Sequence, residues 1–163
     1  LFCCALTEMD EISFSLANNG IRYVAQLPVG YDDETLFRYS LFVALGGVAG
    51  YGDDTKEVIY CLLEHDPHSE SIEDIWDSIV ARRKVPDASH RAAILSAVCQ
   101  AIEVLIDEAR PNVVTMVTHT PNLPAKALTK YQRVLETVAR KGYRVGKTDV
   151  WNGCHTWIME RQA

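Results

Sequence analysis

Six apolar residues in a row, Val58-Ile59-Tyr60-Cys61-Leu62-Leu63, stand between Glu57 and Glu64. The run is too short for an all-round apolar helix and lacks the alternation of a strand with one wet face. It reads as a central strand covered on both faces, which calls for a sheet and a layer packed over it. With 163 residues and 48% apolar content the chain can build such a core. No internal repeat, low-complexity run or long linker marks a boundary, so residues 1–163 are expected to form a single α+β domain.

The other elements follow from period and punctuation. Residues 7–19 read as a helix, with Thr7 as N-cap and Gly20 as stop. Residues 21–27 read as a strand and 28–34 as a loop rich in turn formers. Residues 36–45 read as a strand closed by Gly46-Gly47, with 48–51 returning beside it as a hairpin. Ser71 opens an S-x-x-D pattern, and Ile72, Ile75, Trp76 and Ile79 recur at helical spacing up to Pro86. The strongest helix spans 89–109, where Leu95, Val98, Ile102, Leu105 and Ile106 make one stripe. Residues 112–119 have the β-branched content of a strand. Pro124 starts a helix whose stripe includes Ala127, Leu128, Tyr131, Val134, Leu135 and Val138, and Gly142 ends it. Residues 143–151 and 154–159 flank Asn152-Gly153, the strongest short hairpin signal available.

Charge and cysteine usage bound the functional classes. No stretch approaches the ~20 apolar residues needed to span a bilayer, and the opening residues lack a basic flank, so neither a membrane anchor nor a signal peptide is expected. Cys3, Cys4, Cys61, Cys99 and Cys154 form an odd set without a C-x-x-C pair, which fits a reducing cytoplasm. A net charge of -6 argues against a nucleic-acid partner. The cations concentrate after Pro111, at Lys126, Lys130, Arg133, Arg140, Lys141, Arg144, Lys147 and Arg161. They form either an anion-attracting patch or the solvated face of a helix and a hairpin.

The succession helix, strand, hairpin, apolar strand, helices, strand, helix, closing hairpin resembles the GNAT N-acetyltransferase fold over residues 36–161. The local likeness lies in Asn122-Leu123-Pro124-Ala125 continuing to Tyr131, and in Gly142-Tyr143. The resemblance implies a mixed, mainly antiparallel sheet flanked by helices, an acetyl-CoA cofactor, and acyl transfer to a small-molecule or protein amine. In that family an Arg or Gln and a G-x-G/A pattern precede the helix after the apolar strand, leaving backbone N–H groups clear for a pyrophosphate. Here the corresponding stretch is Val85-Pro86-Asp87-Ala88-Ser89-His90-Arg91, without glycine. The resemblance therefore leaves Arg82, Arg83, Lys84, Ser89 and Arg91, with Asn122 from the matching helix, as candidates for holding the cofactor. A capped helix and an ordinary basic loop explain the same residues.

By the same resemblance Glu64, at the end of the apolar strand, is the candidate base, directly or through water, and Tyr131 the candidate acid, with Tyr143 in reserve. Tyr131 also falls on the apolar stripe, where an aromatic residue packs into a core. Two other readings stand beside the transferase. His65, His68, His119 and His155, with Glu64 and Asp66, are suitable metal ligands, but lack a helical H-E-x-x-H spacing. Trp151, His155 and Trp157 would suit a protein partner in a non-catalytic accessory module, although alternation sends Trp157 and Met159 to the core. A cofactor slot requires the strands at 57–64 and 112–119 to splay; continuous pairing would close it.

Overall fold

The computed structural model describes residues 1–8, 11–76, 78–118, 120–148 and 150–163. Along the chain run β1 (Phe2–Cys4), a 3₁₀ turn (Ala5–Glu8), β2 (Ser15–Asn18), β3 (Tyr23–Asp32), β4 (Arg38–Gly47), β5 (Thr55–His65), β6 (Ile72–Ile75) and α1 (Ser78–Lys84). Then come α2 (Ala88–Ala109), β7 (Val113–Val117), a 3₁₀ turn (Ala125–Leu128), α3 (Thr129–Arg140), β8 (Tyr143–Lys147) and β9 (Thr156–Arg161). The fold is α+β: one open, mostly antiparallel sheet in the order β1-β3-β4-β5-β7-β9-β8, with β2 added to β3 and β6 added to β5. β5 and β7 form its parallel pair.

Three expectations are corrected. Residues 7–19 do not form one helix, because β2 pairs antiparallel with β3 through Asn19-Gly20. The Asn19 side chain accepts hydrogen bonds from the Ile21 and Arg22 amides at 3.1 and 2.8 Å, and Gly20 takes φ +83°. The glycine that reads as a helix stop is the second residue of a hairpin turn. Residues 48–51 do not return beside β4; they turn, and β5 pairs along the whole of β4 from Gly47↔Lys56 to Arg38↔His65. Residues 71–76 are not helical either. Asp66 accepts from the His68 amide at 2.8 Å and from the Ser69 hydroxyl at 2.7 Å, turning the chain so that β6 runs back along β5 from Ile72↔His65 to Ile75↔Leu62. Tertiary pairing overrides the S-x-x-D pattern, and the helix starts only at Ser78.

The loop expected at 28–34 is shorter than the turn formers suggest. β3 continues through Pro28 to Asp32 with a bulge between Pro28 and Gly30. On its outer edge β2 begins opposite Gln26 and β1 ends opposite Gly30. Pro28 lies between those two partners, where its missing N–H removes no ladder bond on that edge.

The other elements lie near their expected places, although the helix expected from Pro124 begins as the 3₁₀ turn and the strand expected at 143–151 ends at Lys147. α2 begins one residue before 89 and ends at Ala109, where Arg110 takes a left-handed conformation and its N–H bonds the Ile106 carbonyl. It lies across β3 and β4, while α3 packs beside α2 and against β8. Val43, Leu45, Ile102, Leu105, Val114, Val134 and Met159 lie in one hydrophobic cluster. Around Asn152-Gly153, with φ +49° and +76°, Trp151 and Cys154 exchange backbone hydrogen bonds, and β8 and β9 pair beyond them. Among the described residues no helix is long and apolar enough to cross a membrane.

Candidate functional site

β5 and β7 pair only at Thr55↔Val113, Lys56↔Val114 and Glu57↔Thr115. Farther along the same edge, β6 takes over from Leu62 to His65. Between Glu57 and Leu62 the edge of β5 meets no strand among the described residues, over a length of about 17 Å at strand rise. β7 diverges from β5 here, so the splay sought in the sequence is present.

A cleft of about 580 Å³ lies beside residues 60–62 of this stretch. Leu41, Tyr60 and Leu62 of the sheet and Ile94, Leu95 and Val98 of α2 contribute its apolar lining. The cleft explains an asymmetry in α2: residues 88–96 are at most half-buried, whereas Ala97, Val98, Cys99, Ala101 and Ile102 are buried. The apolar stripe of the helix extends past the sheet that would cover it. Arg82 and Arg91 stand on one side, and Lys126, Lys130 and Arg133 on the other. Among the described lining residues there are thus five cations and no carboxylate, in a chain whose net charge is -6.

Cys61 also lines this cleft. Burial, with Asp74 adding to it and Arg22 opposing, pushes its thiol up to about 12. It is a protonated apolar surface at neutral pH rather than a nucleophile. Burial raises the Tyr60 hydroxyl beyond the ordinary tyrosine range as well, with Tyr131 contributing next.

The candidate catalytic groups stand apart from the lining. Glu64 is buried, and its Oε2 accepts the Tyr39 hydroxyl at 2.7 Å and pairs with Lys84 Nζ at 2.7 Å. Burial first, and Glu64 second, raise the Tyr39 hydroxyl above its usual range. Tyr131 is 1% exposed and stacks on Trp157 with ring centroids 5.6 Å apart, while Trp157 stacks on His155 at 5.8 Å. Tyr143 donates its hydroxyl to the Pro111 carbonyl at 2.5 Å, and burial raises its pKa. None of Glu64, Tyr131 and Tyr143 lines the cleft.

No protein-family model, curated protein or solved structure matches this chain. The geometry alone therefore sorts the remaining candidates. Lys84 is held by Glu64, and Arg83 projects exposed from α1 outside the cleft lining. Ser89 does not cap α2. Asp87 does, accepting from the Ser89 amide at 2.7 Å, the His90 amide at 3.2 Å and the Ser89 hydroxyl. Arg91 donates to the carbonyls of Val85, at 2.9 Å, and Pro86. Asn122 takes φ +56° and its amide donates to the Gly153 carbonyl at 2.8 Å, which makes it part of the hairpin support.

Among the described residues no three His, Cys, Asp or Glu side chains gather to hold a metal. His65 closes β5, His68 lies in the Asp66 turn, His155 stacks on Trp157, and His119 lies outside the described residues. Trp151 is 77% exposed, whereas Trp157 and Met159 enter the core as alternation requires. Sequence reasoning missed Lys126, Lys130 and Arg133 as a group facing a cavity. The signal was available, because the three recur within two helical turns beside Ala127 and Pro124.

Proposed function

We propose that this chain is an acyl-CoA-binding, N-acyltransferase-like protein with a GNAT-like fold, acting on a small-molecule or protein amine. The observation that carries the reading is the parallel pair β5–β7, which separates after three residues beside an apolar cleft with a basic rim. Its order is strand, helix, strand, helix (β5, α2, β7, α3), followed by β8 and β9 with β9 placed between β7 and β8. The succession along the chain is the one the resemblance implies, with β6 and α1 inserted between β5 and α2.

The residues present fit two parts of acetyl-CoA and depart at a third. The edge of β5 between Glu57 and Leu62, which pairs with no strand among the described residues, would accommodate a pantetheine arm as an added strand. Leu62, Ile94 and Leu95 would shield that arm from water. The departure is at the start of α2, where Asp87 already occupies the amides of Ser89 and His90. When bound, the thioester would supply the activated acyl group, while this chain orients the arm and excludes water around it.

Glu64 and Tyr131 favour a second reading in which the scaffold binds without turnover, as an accessory protein. The Glu64 Oε2 is held by Lys84 and Tyr39, and neither Glu64 nor Tyr131 lines the cleft in which an amine would meet the acyl group. A titration with acetyl-CoA, followed by thermal unfolding, tests the proposal. Binding to the folded state raises Tm by mass action, and at ~100 times Kd the stabilisation is about 2.7 kcal/mol. No shift up to millimolar acetyl-CoA would end the acyl-CoA reading. A shift without acyl transfer to any amine in a panel would select the accessory protein.

A further inference from the structure

The clearest departure from the family pattern is at the anion site. An unsatisfied helix N-terminus attracts anions because its first N–H groups point outward without partners. In α2 those groups already have one: the Asp87 carboxylate takes the Ser89 and His90 amides, and with them the Ser89 hydroxyl. These bonds lower the Asp87 pKa, led by the Ser89 hydroxyl, so at neutral pH a negative charge sits where a phosphate would otherwise dock. An arriving phosphate would meet both repulsion and occupied donors.

Positive charge is available a short way along the same cleft. Arg82 comes from α1, Lys126 from the 3₁₀ turn before α3, and Arg133 from the second turn of α3. Among the described residues none of the three pairs with a carboxylate, unlike Lys84 with Glu64, Arg140 with Glu103 and Lys141 with Asp107. Arg91 and Lys130 add charge but are already engaged, the first by the Val85 and Pro86 carbonyls and the second over the Tyr131 ring at 5.1 Å. Surface cations ordinarily find acids or open water. Three without acids around one apolar cavity form a receptor for an amphipathic anion.

We infer that the diphosphate end of the ligand is held by the side chains of Arg82, Lys126 and Arg133, in place of the amides at the start of α2. This rests on the acyl-CoA reading for the nature of the ligand. It assigns a role to the β6–α1 segment, which pairs along the far end of the β5 edge that β7 leaves and carries Arg82 to the cleft lining. Recognition through mobile side chains depends more on ionic strength than recognition by fixed amides in a buried loop.

Calorimetric titrations of the full chain with coenzyme A, inorganic pyrophosphate and the uncharged S-acetylpantetheine decide the matter. They are run on the wild type and on Arg82→Gln, Lys126→Gln, Arg133→Gln and Asp87→Asn, with circular dichroism to verify folding. Each cation variant is expected to weaken coenzyme A and pyrophosphate about tenfold, while S-acetylpantetheine binds all forms alike. Asp87→Asn keeps a capping oxygen and should change coenzyme A affinity less than about twofold.

Cation variants that bind coenzyme A like the wild type overturn the inference while leaving the acyl-CoA reading intact. So does a gain of about tenfold or more in Asp87→Asn, which would place the diphosphate at the α2 amides once the Asp87 charge is removed. Wild type that ignores coenzyme A and S-acetylpantetheine but binds pyrophosphate through the same three cations overturns the acyl-CoA reading and supports the anion site. Binding of none of the three ligands overturns both.

Discussion

Glu64 combines structural and chemical roles that only a pair of measurements can separate. Its Oε2 receives both Tyr39 and Lys84, so Glu64→Gln removes an ion pair and weakens a buried hydrogen bond. Lys84 is about one-third exposed, which reduces the contribution of the pair. We expect a stability loss of about 1–3 kcal/mol in urea unfolding, with Lys84→Met losing less and the double variant less than the sum. Additive losses would show that the two groups do not interact. Cys61 gives a second expectation. With its thiol pushed up to about 12, it should resist alkylation at pH 8 while half-buried Cys154 reacts, as peptide mass spectrometry can follow. Rapid labelling of Cys61 in the folded protein would place it in a wetter, more polar site.

Asp32 gives a pH dependence whose sign follows from its bonds. The Thr35 amide and hydroxyl, with the Glu34 amide contributing, hold its carboxyl at about 2, below the ordinary 3.8. A carboxylate depressed on folding stabilises the native state above its unfolded pKa and loses that contribution as pH falls through the folded value. Replacing Asp32 by Asn should therefore flatten the stability profile between about pH 4 and pH 2 and leave its shape near neutrality unchanged. An unchanged acid limb would show that the turn bonds form equally in the unfolded chain.

At the scale of elements, legibility followed the range of the signal. α2 and α3 were readable because their stripes are local, and the closing hairpin because Asn152-Gly153 sits between two apolar runs. The same dipeptide at Asn19-Gly20 passed as a helix stop, since β2 carries only exposed side chains and offers no alternation to pair with the turn. β6 was hidden for a related reason: Ile72 and Ile75 recur at helical spacing, whereas the strand puts them on opposite faces, Ile72 exposed and Ile75 buried, and only the turn at Asp66 decides between the two.

The hairpin also supports its neighbour. A Cβ at Gly153 would overlap Asn122 Oδ1 and come within 2.8 Å of Asn122 Cγ, at a φ of +76°. Gly153→Ala should cost about 1–3 kcal/mol and shift the Asn122 amide resonance, because strain and contact act together. A loss near zero would mean that the 120–124 loop gives way freely.

For the whole molecule, the apolar run at 58–63 set the frame, and the sheet indeed places β5 between β4 on one edge and β7 and β6 on the other. The sequence could not reveal that these two partners share one edge and leave a stretch between them uncovered. That depends on the register of Thr55 against Val113 and of Leu62 against Ile75, which are long-range facts. Nor could it reveal that Glu64 and Tyr131 lie outside the cleft lining, held by Tyr39 and Lys84 and by Trp157, since a resemblance assigns roles by position and not by contact.

The uncovered stretch of β5 is the feature on which the acyl-CoA reading depends, and amide hydrogen exchange observes it directly. The amides of residues 58–61 that point away from β4 should exchange quickly in the protein alone and slow by tenfold or more with saturating acetyl-CoA, while those of 55–57 stay protected throughout. Equal protection along the whole edge without ligand, or unchanged exchange with it, would contradict the account.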